Sequence, residues 1–217
     1  LHRRRHSFPT RRSSDLSLAA PYLAALSSTE IAVVYRDRWT VLSTTADGAR
    51  GMVLSVSGTT ITLPVGPQDL IHQYGPFGAH QHCMHAVSSS RVAFVLPPNA
   101  GGVFTAMEYD IAGGLFSPVG GVAASTANAL VGSAQCFDVS SVTASGYLVV
   151  TVDSPNQDLT STPLQASGAG PVIGSRVVVR DNPSPLTYPA SASLTATKKL
   201  VVYTDSASVY GVVFDVT

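Results

Sequence analysis

Charge is scarce in this sequence. Only 12% of its 217 residues are Asp, Glu, Lys or Arg, and 13 basic groups cancel 13 acidic ones. Two cysteines cannot frame a disulfide-stapled miniprotein, and their spacing reads as two buried thiols rather than as a bridge. No apolar run reaches the roughly 18 residues that cross a bilayer as a helix. Several chemical signatures are missing as well: the Gly-x-Ser-x-Gly elbow, a phosphate loop, a dinucleotide fingerprint, a heptad pattern and an Asp-x-Asp-x-Asp-Gly calcium loop. The usual routes to nucleophilic catalysis, nucleotide binding and coiled-coil assembly are therefore not written in the chain.

What is present is a pattern stated four times. LSSTEIAVVYRD from Leu26, VSSSRVAFVLPP from Val87, VTASGYLVVTVD from Val142 and LTATKKLVVYTD from Leu194 share an apolar anchor, a polar turn and a β-branched run. A second block follows each: GMVLSVSG from Gly51, AMEYDIAG from Ala106, STPLQASG from Ser161 and GVVFDVT from Gly211. Short runs rich in Val, Ile and Tyr between Ser, Gly and Asp read as strands. The anchor segment and the β-branched run form a hairpin, and the second block adds a third strand. Its period-two rows place Met52, Leu54 and Val56 on a buried face, with Met107, Tyr109 and Ile111, Thr162, Leu164 and Ala166, and Val212, Phe214 and Val216 in the same columns. The opposite row, with Val53, Ser55 and Asp110, is expected to face solvent. Apolar stretches at 60–65, 114–119 and 170–173 supply a fourth strand.

Four short antiparallel strands in 50 to 60 residues, repeated without helical periodicity, resemble the blades of a β-propeller. The resemblance covers residues 17–217, with repeats at about 17–66, 80–122, 134–175 and 189–217. It implies an all-β, propeller-like array of four-stranded antiparallel blades, about four repeats, expected to be part of a larger ring. The blades match no named class. The Trp-Asp dipeptide of WD40 repeats is missing, Trp39 is placed in a loop, and the kelch-like pairs Gly101-Gly102, Gly113-Gly114 and Gly120-Gly121 cluster in one repeat. A string of β-sandwich domains or a solenoid is the competing architecture.

Residues 6–16, HSFPTRRSSDL, resemble the translation of a sequencing adapter, so residues 1–16 are set aside as an artefactual or disordered leader. What remains carries 8 basic and 12 acidic groups, and its cations are scattered, with no basic stripe to follow a phosphate backbone. Nucleic acid is disfavoured as a partner. The chain is expected to be an internal piece of a longer gene product.

The densest chemical cluster is AHQHCMH at 79–85, close to His72. His80, His82 and His85 are the candidate metal ligands, for zinc or copper. In an extended strand His80 and His82 point to one face and Cys83 and His85 to the other, so a complete site needs ligands from neighbouring units. The repeat-equivalent Asp37, Asp153 and Asp205 suit turn capping better than catalysis. Glu30, Glu108 and Asp110 are the acids near strand starts or centres, and solvation is expected for them. No catalytic residue is assigned. The composition and repeats point to a noncatalytic binding scaffold, secreted or phage-associated, contacting a glycan or a protein through connections such as 66–82 and 181–189. The alternative is a propeller-type glycan hydrolase or lyase whose site lies outside this segment or only partly within it.

Overall fold

A computed structural model describes residues 21–41, 44–74, 83–96, 104–124, 136–141, 146–152, 158–181, 187–195, 197–205 and 208–215. They form four small antiparallel sheets, arranged in a ring that resembles a four-blade β-propeller. The first sheet holds β1 (Tyr22–Ala25), β2 (Glu30–Val41), β3 (Thr44–Ser57), β4 (Thr60–Thr62) and β5 (Gln68–Tyr74). The second holds β6 (Cys83–Ser88), β7 (Arg91–Leu96), β8 (Thr105–Ala112) and β9 (Leu115–Ala124). The third holds β10 (Cys136–Ser141), β11 (Gly146–Val152), β12 (Leu159–Gln165), β13 (Val172–Ile173) and β14 (Val177–Arg180), and the fourth β15 (Thr187–Ser193), β16 (Lys198–Asp205) and β17 (Ser208–Asp215). Each is a meander in sequence order, and the split outer strands of the first and third sheets share the edge of β3 and of β12.

The hairpins follow from local chemistry. Between β8 and β9 the two-residue turn Gly113-Gly114 joins the pair Ala112 and Leu115 with φ of 58° and 81°. Both residues have the positive φ of a type I′ turn, which glycine adopts at little cost. That glycine pair is a hairpin signal and not a family signature. Between β1 and β2 the Ser27 hydroxyl accepts from the Thr29 N–H, while the Leu26 and Ser27 amides donate to the Glu30 carbonyl. The Ser88 hydroxyl likewise accepts from the Ser90 N–H before β7, so the polar residues of the repeated turn bond to their own backbone.

Three apolar cores hold consecutive sheets face to face. In the first, Ala32 and Val34 of β2 with Val53 of β3 meet Val92, Phe94, Tyr109 and Ile111 of the second sheet. In the second, Ala93, Val95 and Ala106 meet Tyr147, Val149 and Leu164 of the third. In the third, Leu148, Val150 and Leu159 meet Val201 and Tyr203 of the fourth, with Val212 against them. Alternation sends neighbouring residues to opposite faces, so one strand feeds two cores: Phe94 packs backward and Ala93 forward. The first strands are neighbours in turn, β1 beside β6, β6 beside β10 and β10 beside β15, which sets them at the centre of the ring.

Several expectations change. At its centre the row of the third strand assigned to solvent is buried in the first three sheets, with Val53 2%, Ala106 0%, Glu108 1% and Ser161 1% exposed, while Ser57, Gln165 and Asp215 of that row are exposed. A single-sided sheet leaves one row wet, whereas a sheet inside a stack has none to leave. Trp39 lies in β2 and not in a loop, because β2 and β3 pair onward from Tyr35 to Val41. The connection expected at 66–82 contains β5, paired to β3 over Asp47–Gly51, and that expected at 181–189 is shortened by β15 starting at Thr187. Residues 1–20 lie outside the described residues.

Phe94 is wholly buried where the first and second sheets meet. Phe94→Ala should cost about 3–5 kcal/mol, the usual penalty for emptying a packed aromatic site. A urea unfolding midpoint that moves by only a few tenths of a molar would show that this interface is not packed as described.

Candidate functional site

Among the described residues the charged groups draw together most closely where the second sheet meets the third. The register carries His85 of β6 opposite Ala93 of β7 and Ala93 opposite Glu108 of β8, so His85 and Glu108 flank a small residue on one face. Arg91 stands opposite Asp110 one step along on that face. Tyr147, at the start of β11, faces them from the third sheet.

Glu108 is the unusual member. Its repeat equivalents are Val53, Pro163 and Val213, and it takes a core position with 1% of its surface exposed. The Tyr147 hydroxyl donates to its Oε1 at 3.2 Å across the interface. The Oε2, with no hydrogen bond, faces the Arg91 guanidinium at 3.6 Å. Arg91 also donates from Nε to Asp110 Oδ1 at 2.7 Å and from Nη1 to the Ser167 carbonyl at 3.3 Å. One guanidinium thus binds two carboxylates of its own sheet and the backbone of the next.

Burial holds the Glu108 carboxyl above its ordinary pKa, and the Tyr147 hydrogen bond and Arg91 charge only partly offset it. The same burial, with the Glu108 charge beside it, pushes the Tyr147 hydroxyl up far enough that it stays a donor throughout the working range. Tyr109 is pushed up to about 12 by burial, and its hydroxyl donates to the Leu70 carbonyl of the first sheet at 2.9 Å. The two tyrosines do matching work, each tying its sheet to the one before.

Of the candidate metal ligands, His80 and His82 lie outside the described residues. His85 is half-buried in β6, its ring 6.4 Å from that of Tyr147 and tilted by 33°. It belongs to the interface between sheets. Among the described residues no group of three or more His, Cys, Asp and Glu is gathered closely enough to hold a metal ion. The backbones of Cys83 and Cys136 start β6 and β10, while their side chains lie outside the described residues. Asp37 is a β2 residue opposite Gly48 and Asp205 stands at the end of β16 opposite Ser208, while their side chains lie outside the described residues. Asp153 lies outside the described residues.

Chemically, the Glu108 cluster joins sheets. Glu108 shares a row with Ser55 and Asp110 that reads as solvent-facing in the sequence, yet its departure from valine and proline at the equivalent positions marks the cluster. No helix among the described residues is long and apolar enough to cross a membrane. No protein-family model matches the chain, and no curated protein matches it either.

The raised Glu108 pKa has a defined sign. The folded state holds this proton more tightly than the unfolded chain, so its contribution to stability is complete below the ordinary carboxyl value. It is lost as pH rises through the folded pKa. Glu108→Gln should remove that loss, making the variant gain on wild type from about pH 4.5 upward in melting temperature. Parallel curves for the two proteins from pH 4 to 8 would show that the carboxyl is not desolvated.

Proposed function

We propose that the chain is a noncatalytic binding scaffold that presents one end of its sheets to a glycan or protein on a surface, in a secreted or phage-associated setting. The observation that carries this reading is an asymmetry of connections. At one end of the sheets the strands are joined over 26–29, 58–59, 89–90, 113–114, 142–145 and 194–197, none longer than four residues, and 166–171, at six, is the exception. From the opposite end leave the connections 75–82, 97–104, 125–135, 153–158 and 181–186, with only 42–43 and 206–207 short. Strands packed on both faces give a fixed frame, and variation in such folds is tolerated where the backbone need not pair. The long connections are rich in Gly, Pro, Asn, Gln, Ser and His, residue types that offer hydrogen bonds and adaptable backbone.

The composition supports a neutral or carbohydrate ligand over a polyanion. Cations are few, and Arg50, Arg91 and Lys198 are each held by an aspartate, at 2.6, 2.7 and 3.0 Å. Those pairs offset the charge of three of the described cations.

A glycan array probed with the full chain tests the proposal. Binding to a defined set of glycans, lost when 125–135 is replaced by a short Gly-Ser turn and kept when turn 58–59 is substituted, is the expected outcome. The melting temperature should move by less than about 3 °C in both variants. Binding that survives removal of 125–135 and of 75–82, or conversion of a bound glycan to products, would refute the reading.

A further inference from the structure

Aromatic side chains in this fold serve the cores, with one exception. Phe94, Phe104, Tyr109, Tyr147 and Tyr203 are buried, and Tyr22, Tyr35 and Phe116 are half-buried. Tyr210 is 46% exposed, the one exposed aromatic among the described side chains. A ring left in water forgoes the apolar burial that aromatic residues ordinarily supply.

The exposure does not come from lying on an uncovered face. The pairing of β16 with β17 sets Val201 opposite Val212 and Tyr203 opposite Tyr210, so all four stand on the face of the fourth sheet that packs against the third. Val201 and Tyr203 share a core with Leu148, Val150 and Leu159, and Val212 packs against it. Tyr210 is the next step along that row, toward the turn at 206–207. It therefore lies at the end of the sheets from which 153–158 and 181–186 leave, and 153–158 leads into Leu159, which packs in the same core as Tyr203. The seam between the third and fourth sheets opens toward the long connections at this ring.

The ring is also held in orientation. Tyr203, 4% exposed, stacks on it across the strand pair, with centroids 5.8 Å apart and planes inclined by 22°. A tyrosine has only two side-chain torsions, and one braced by a buried neighbour gives up little freedom when a ligand settles on it. Its repeat equivalents are Arg50, Thr105 and Thr160, so the aromatic is a departure of the fourth unit alone. The flanking residues Ser208, Val209 and Gly211 are exposed and uncharged, which suits a neutral ligand.

We propose that Tyr210 is a stacking platform for a pyranose ring, placing a bound glycan at the seam between the third and fourth sheets. A β-linked sugar of gluco or galacto configuration turns the axial C–H bonds of H1, H3 and H5 to one face. Those hydrogens carry slight positive charge and match the negative face of an aromatic ring. The sugar hydroxyls then project from the ring edge, toward the residues of the long connections. This inference rests on the glycan-binding reading above and narrows it to one place and one kind of contact.

Saturation-transfer difference NMR on the full chain, with methyl β-galactopyranoside, cellotetraose and chitotetraose as probes, tests it. For at least one of these sugars, saturation should reach H1, H3 and H5 of one ring more strongly than H2. Affinity for that sugar should fall about tenfold in Tyr210→Ala, and stay within about twofold in Tyr210→Phe, which keeps the ring, and in Val209→Ala on the opposite face. If Tyr210→Ala moves the melting temperature by more than about 3 °C, Tyr210→Thr, the residue found at equivalent positions 105 and 160, replaces it with the same expected loss. Saturation spread evenly over the sugar, or an affinity that loss of the ring leaves unchanged, overturns the platform while a glycan-binding scaffold still stands. No saturation of any of the three sugars overturns it as well, and the glycan array then decides the wider reading by itself.

Discussion

The structure rests on one constraint: a strand between two other sheets must be apolar on both faces. Val92 and Phe94 face back while Ala93 and Val95 face forward, and all four are fully buried. That demand explains the low charge and the valine-rich runs at once. A sheet packed on one side would alternate apolar with polar, as antiparallel sheets commonly do. Here the turns and sheet edges take most of the polar groups, and those that enter the interior, such as Glu108, Thr160 and Lys199, are exceptions.

The same constraint gives Glu108 its cost. A carboxylate in a row that elsewhere holds Val53, Pro163 and Val213 cannot be hydrated, so it is supported by a tyrosine from the following sheet and an arginine from its own. Removing one partner of such a buried pair is far more disruptive than replacing the whole group by an apolar one. The cluster therefore fixes how the second and third sheets sit together, a directional contact inside an interface otherwise made of non-directional apolar packing. In the third interface Lys199 holds the column of Tyr147, wholly buried, and donates to Ser193 of its own sheet.

The architecture was legible in the sequence because its signal is columnar. The anchors at Leu26, Val87 and Leu194, the serines at 27, 88 and 90 and the β-branched runs all fall where the strands begin, turn and pair, while Val142 lies outside the described residues. The fourth strand was legible in position but not in form, since nothing in TITLPV tells that β4 ends at Thr62 and β5 takes over the edge of β3. Burial of the second row was not legible, because Ser55, Asp110 and Gln165 in that row lie near the sheet ends, where strands are wet, and they mask the dry centre occupied by Val53, Ala106 and Glu108. Trp39 was misplaced for a related reason: Arg36, Asp37 and Arg38 read as a polar loop, and long pairing with β3 overrode that local signal. The histidine cluster was conspicuous in composition, yet of its three candidate ligands the described structure reaches only His85, which sits beside Tyr147.

The central claim is the order of packing, each sheet laying its forward face on the backward face of the next. Nuclear Overhauser contacts among labelled methyl groups and aromatic rings read it directly. The account predicts contacts from Val34 to Phe94, from Val95 to Val149 and from Val150 to Val201, with none linking the first sheet's forward face to the third. Contacts from Val34 to Val149, or Val95 methyls contacting only their own sheet, would contradict it.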